Sequence, residues 1–147
     1  MKPSFTSRKL QSGVMLLEAM IGILIFSMGV LALVGMQTLA VKVATESRER
    51  AEASNLASQL IGEMWLNRAN LASYNYVAGS GAVPAALNSW VAQIQSSLPN
   101  ADVYLPSVEI GAPTLAGVSG NEVIVTIRWM APGASTPRRF QMAAYIN

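Results

Sequence analysis

The sequence predicts an α+β protein in which one long N-terminal helix, transmembrane in its first half and amphipathic in its second, packs on a small antiparallel sheet. Three observations carry that prediction. Residues 13–41, GVMLLEAMIGILIFSMGVLALVGMQTLAV, are apolar almost throughout and carry no charge after Glu18. The chain then continues at helical spacing to Leu71 without a proline. In the last third, apolar residues recur at every second position, the period of a half-buried strand.

The apolar run comes first. A hydrocarbon core about 30 Å thick needs roughly 20 apolar residues in a helix rising about 1.5 Å each. Residues 19–41 supply that length. Lys2, Arg8 and Lys9 stand ahead of the run, so the head is expected to stay cytoplasmic while the C-terminal part crosses. A discarded secretory signal would have a shorter core ending in small residues. This run is longer and flows on with no Ala-x-Ala-like break. Glu18 is the anomaly. An acid in a spanning helix costs roughly 2.5–3.5 kcal/mol at mid-membrane on insertion scales, and less near the edge. Such residues usually have a partner. Gly22, Gly29 and Gly35 follow at spacings of seven and six. They fit close approach between helices and, equally, the general abundance of glycine in membrane helices.

Residues 42–71 are expected to form the soluble half of the helix. Lys42, Glu46, Arg48, Glu49, Arg50 and Glu52 make its start polar all round, with Glu46 and Arg50 at the i,i+4 spacing that supports an exposed helix. From Ala53 a stripe begins, made of Ala53, Leu56, Ala57, Leu60, Met64 and Leu71. Met64 and Trp65 fit core or helix-flank packing better than a ligand box. The globular part, residues 72–147, opens with a loop over residues 67–84, rich in Asn, Ser, Gly and Ala. Leu87, Trp90, Val91, Ile94 and Leu98 recur at helical spacing, predicting a short helix over residues 85–98 closed by Pro99 and Asn100.

Residues 103–110 read as a strand, with Pro106 arguing for an edge or irregular one, and residues 111–120 as a turn-rich connection. The clearest strand is 122–130, with Val123, Val125, Ile127 and Trp129 on one face and Ile124, Thr126, Arg128 and Met130 on the other. Residues 139–146 alternate likewise, Phe140, Met142, Ala144 and Ile146 against Arg139, Gln141, Ala143 and Tyr145. The two predict an antiparallel hairpin turning through residues 131–137. Residues 73–77 offer a fourth strand.

One motif goes further than periodicity. Gly13-Val14-Met15-Leu16-Leu17-Glu18, after a short basic head and before an apolar helix, resembles the class III leader of the type IV pilin-like superfamily. The resemblance implies that a prepilin peptidase cuts after Gly13 on the cytoplasmic side, removing residues 1–13 as a leader. Val14 then becomes the new, N-methylated terminus, in place of the phenylalanine usual there, and residues 14–41 stay on as the assembly stalk. Glu18 takes the place of the family's acid, neutralising the Val14 amine of an adjacent subunit and setting register. The implied fold is the pilin one.

Looser patterns narrow the resemblance. The stretch LLEAMIGILIFSMGVLALVGMQ, the tryptophan helix ending in Leu98-Pro99 and the strand EVIVTIRWMAPG are similar to the minor pilins of the type IV pilus modification (PilV) family. This implies a subunit that primes or modifies a pilus serving adhesion or twitching. Its partners would be prepilin peptidase, other minor pilins, the major pilin and the inner-membrane assembly platform. Its place would be the inner membrane, with a periplasmic domain, and later the pilus. An I-type minor pseudopilin of type II secretion has a similar leader and size, and is the alternative.

The totals exclude other classes. The 147 residues are 52% hydrophobic and 12% charged, against about 25% charged in typical domains. The net charge of +2 does not describe a nucleic-acid binder: three of the ten bases precede Gly13, leaving seven against eight acids. No basic stripe interleaved with aromatics remains. With no cysteine and no histidine, disulfides, thiolates, imidazole catalysis and the two commonest zinc ligands are ruled out. Gly79-Ser80-Gly81 lacks the context of a phosphate loop or nucleophile elbow. Asp102 and Glu109, seven apart, are thin material for calcium. The expectation is a non-enzymatic protein without cofactor or metal.

Overall fold

A computed structural model describes residues 12–147; Lys2, Arg8 and Lys9 of the basic head lie outside the described residues. The chain divides into two compact units, the first ending at Ala44 and the second spanning Thr45–Asn147. A single helix, α1 (Ser12–Leu66), runs through the boundary.

In the first unit the described residues are α1 alone, with every side chain from 13 to 44 exposed. The helix is long and apolar enough to cross a membrane as a single span. Its small polar side chains are satisfied locally. Ser27 donates to the Ile23 carbonyl at 2.7 Å and Thr38 to the Val34 carbonyl at 3.0 Å, the back-bonding that lets hydroxyls sit in an apolar helix.

In the second unit α1 ends at Leu66, five residues short of the expected Leu71. Asparagine is the reason. Asn70 donates to the Asn67 side chain at 2.9 Å, and Asn67 donates to the Tyr74 hydroxyl at 3.1 Å. They brace a turn in which the Asn70 N–H bonds the Asn67 carbonyl three residues back at 2.9 Å, the 3-10 pattern. A 3-10 segment, Arg68–Tyr74, takes over with a break at Asn70, and it is from there that Leu71 reaches the core. The expected 85–98 helix opens as a 3-10 turn, Ala85–Leu87, and becomes α2 over Asn88–Ser97. It stops at Leu98, which is extended, as a residue before proline must be.

The sheet is three-stranded and antiparallel, in the order β1 (Ser107–Gly111), β2 (Asn121–Trp129), β3 (Arg138–Ile146). Val125 at its centre stands opposite Val108 on one side and Met142 on the other. β1 begins only after Pro106, which has no N–H for a ladder, and not at Val103. The fourth strand anticipated over residues 73–77 is reduced to one bridge, in which Tyr76 and Val108 exchange backbone bonds of 2.8 and 2.7 Å.

Val123, Val125, Ile127 and Trp129 are buried, as the alternation predicts, and they share one core with the α1 and α2 stripes. Ala53 and Ala57 sit in the middle of that contact at 0% exposure. Their small side chains let the α1 backbone come close, so that Leu56, Leu60 and Met64 enter the core. Each such large side chain contributes about 1.5–3 kcal/mol when fully buried. The Trp90 indole N–H donates to the Leu56 carbonyl at 2.8 Å, tying α2 to α1 with a bond that leaves no buried indole unpaired.

Candidate functional site

The residues singled out by sequence all lie on the first unit's helix. Gly13, Val14, Glu18, Gly22, Gly29 and Gly35 are α-helical and exposed. At 3.6 residues per turn, Val14, Glu18, Gly22 and Gly29 fall within an arc of about 80°. Gly35 falls outside it. The three stalk glycines therefore do not form one stripe; Gly22 and Gly29 share a face with the acid and Gly35 does not. A Cβ placed on any of the three would meet nothing within 4 Å. Among the described residues no packing calls for glycine there.

The apolar surface of this helix is large. Leu16, Phe26 and Leu31 are 66%, 73% and 75% exposed, and the intervening aliphatic residues are similar. A continuous apolar patch of this extent marks a lipid or protein contact surface. Glu18 is its only charged residue beyond Gly13 and short of Lys42. Compared with known proteins, no family model, curated protein or solved structure matches the chain.

In the second unit the structure brings together residues that sequence reasoning left apart. Residues 42–52 were expected to be polar all round, and that is corrected: Glu49 is buried, and its carboxylate accepts the Trp129 indole N–H at 2.8 Å. Glu46 accepts from the Arg138 guanidinium in a salt bridge. Glu46 holds the already high Arg138 pKa higher still, against partial burial. A signal for both acids was present. Glu46, Glu49, Ala53, Leu56, Leu60 and Met64 continue one stripe at spacings of three and four, but a search for apolar residues stops at Ala53.

A second polar cluster closes the other end of the sheet. Glu122, buried on β2, accepts from the Thr114 backbone N–H and hydroxyl, both at 3.1 Å, and from the Tyr145 hydroxyl at 3.0 Å. The Thr114 hydroxyl does most to hold the Glu122 carboxyl below its ordinary pKa; burial opposes it, and Tyr145 and the Thr114 N–H assist. These bonds fasten the connection between β1 and β2 onto the sheet.

Neither cluster has the makings of a reaction centre. A groove of about 380 Å³ runs past Glu49, Glu52, Ser96 and Ser97. Among the described residues no three of His, Cys, Asp and Glu, Asp102 and Glu109 included, gather to hold a metal.

Proposed function

We propose that this chain is a minor type IV pilin, a non-enzymatic subunit stored in the membrane through residues 14–41 and assembled into a filament through the same helix. The observation that supports this reading is Glu18, one helical turn beyond Val14 on a bare apolar helix. A lone carboxylate in low dielectric is strongly unfavourable unless it is paired. Cleavage after Gly13 would create the cation it needs, a new α-amine at Val14, on its own or a neighbouring stalk. The glycines at 22 and 29, on the same face and with no partner atom in this chain, supply room for that neighbour.

N-terminal sequencing and intact mass of the membrane-extracted protein test the first step. The expected result is a chain starting at Val14 and carrying one extra methyl group; a chain starting at Met1 would leave only a membrane anchor. Glu18→Ala is expected to be processed normally but to enter filaments poorly, read by the subunit's abundance in sheared pili. Deleting the gene should reduce surface pili. Loss of secreted enzymes with pili intact would replace the pilus by a secretion system.

A further inference from the structure

The far end of the sheet carries a charge arrangement that neither the core nor the proposed stalk explains. Arg128 stands directly opposite Arg139 in the β2–β3 register. Both are exposed, on the face turned away from Ile127 and Trp129. Opposed residues in an antiparallel pair have Cα atoms about 4.5–5.5 Å apart, and like charges so placed destabilise the pair. The next row, Thr126 and Gln141, is neutral. Among the described residues neither arginine has a salt bridge or hydrogen bond. Arg138, one residue away, does have an acid, Glu46. Asp102, on the segment that Asn100 fastens to the Met130 carbonyl at 3.0 Å, bridges to neither.

Position supplies the missing anion. The bonds from Trp129 to Glu49 and from Arg138 to Glu46 hold this end of the sheet beside residues 46–49. Glu46 is five residues past Val41, about 8 Å along a helix and at most about 17 Å in any conformation. The headgroup zone is roughly 5–8 Å deep on each side of the hydrocarbon, and arginine side chains extend toward it. We propose that Arg128 and Arg139 are a contact surface for the phosphate headgroups of an anionic bilayer, holding the globular unit against the membrane before assembly. The guanidinium fork matches phosphate oxygens two at a time. Two exposed guanidinium groups at the end of a sheet have no enclosure to retain a free anion, whereas a bilayer presents phosphates at high density.

This inference rests on the reading of residues 14–41 as a membrane span, and the experiment separates the two. The full chain is placed in nanodiscs of phosphatidylcholine alone, or with about a third phosphatidylglycerol, and amide exchange is followed across residues 126–142. If the span reading fails, the protein does not enter either disc. If the inference holds, the chain enters both, and exchange at the Arg128–Arg139 end slows only in the anionic discs. Two arginines at an anionic surface shift the docked population roughly thirtyfold, and molar salt removes the effect. Arg128→Gln with Arg139→Gln should abolish the difference while relieving the like-charge pair; Arg68→Gln, elsewhere on the unit, should retain it. Equal exchange in the two discs, or an unchanged difference in the double variant, overturns the proposal. So does abolition by inorganic phosphate at matched ionic strength, which would indicate a free-anion site. Protection seen only in filaments would assign the pair to a protein neighbour.

Discussion

Trp129 and Glu49 show how one hydrogen bond can carry a large share of an interface. A buried carboxylate whose donor is removed keeps its desolvation cost, about 1–3 kcal/mol and more for a charged group. Trp129→Phe is therefore expected to destabilise the second unit by at least that amount, seen as a lower thermal midpoint in detergent. Made in a Glu49→Leu background, the same substitution should cost clearly less, because the orphaned charge is gone; equal costs in the two backgrounds would show that the bond does not couple the pair. Glu122 adds a dependence on pH. Its folded pKa lies below the ordinary carboxylate value of about 4.3, so the fold favours its charged form. The stability it lends is complete above the ordinary value and is lost as pH falls through the lower, folded one. Acid should thus loosen residues 112–120 first, and Glu122→Gln should flatten that acid limb in melts recorded across the range.

At the scale of elements, the connections are set by backbone geometry. Gly120 enters β2 with φ +100°, and a Cβ there would lie 2.4 Å from the Ile146 carbonyl oxygen. Gly117 has φ +84° and nothing within 4 Å. Alanine at Gly117 should cost only the strain of a left-handed residue, of order 1 kcal/mol. At Gly120 the same change also forces β3 away from β2, so its thermal midpoint should fall further than that of the Gly117 variant. A reversed order would mean that the chain end yields easily. On α1 the contrast runs between units. At Gly22 an added Cβ meets nothing within 4 Å, so with Gly22→Leu the second unit should melt unchanged while incorporation into filaments drops. Ala57→Leu, by contrast, puts a large side chain where α1 meets the core and should lower the melting point by the 1–3 kcal/mol typical of overpacking.

Across the whole molecule, the two units divide the physical work. Residues 13–44 present apolar surface that is exposed among the described residues. Residues 45–147 bury a complete core around α1, α2 and the sheet. The proposed stalk is thus a surface awaiting lipid or neighbouring helices, and the globular unit is self-sufficient in packing. Changes in the first unit should show in membrane residence and assembly, and changes in the second in melting.

What the sequence determines by itself is what depends on local order. The membrane-length run, the α1 stripe from Ala53 to Met64, the Trp90 helix and the β2–β3 hairpin each repeat at the period of one element, so composition and spacing reveal them. The motif proposed at Gly13, Val14 and Glu18 is read in the same way, from adjacency along the chain. Tertiary structure decided the rest. Glu49 is buried because Trp129, eighty residues away, turns its indole N–H toward it. Arg138 is paired because β3 begins beside Glu46. Arg128 and Arg139 face each other only because the hairpin register sets them opposite. A polar residue's environment is fixed by partners distant in sequence, and no periodicity within its own element announces them.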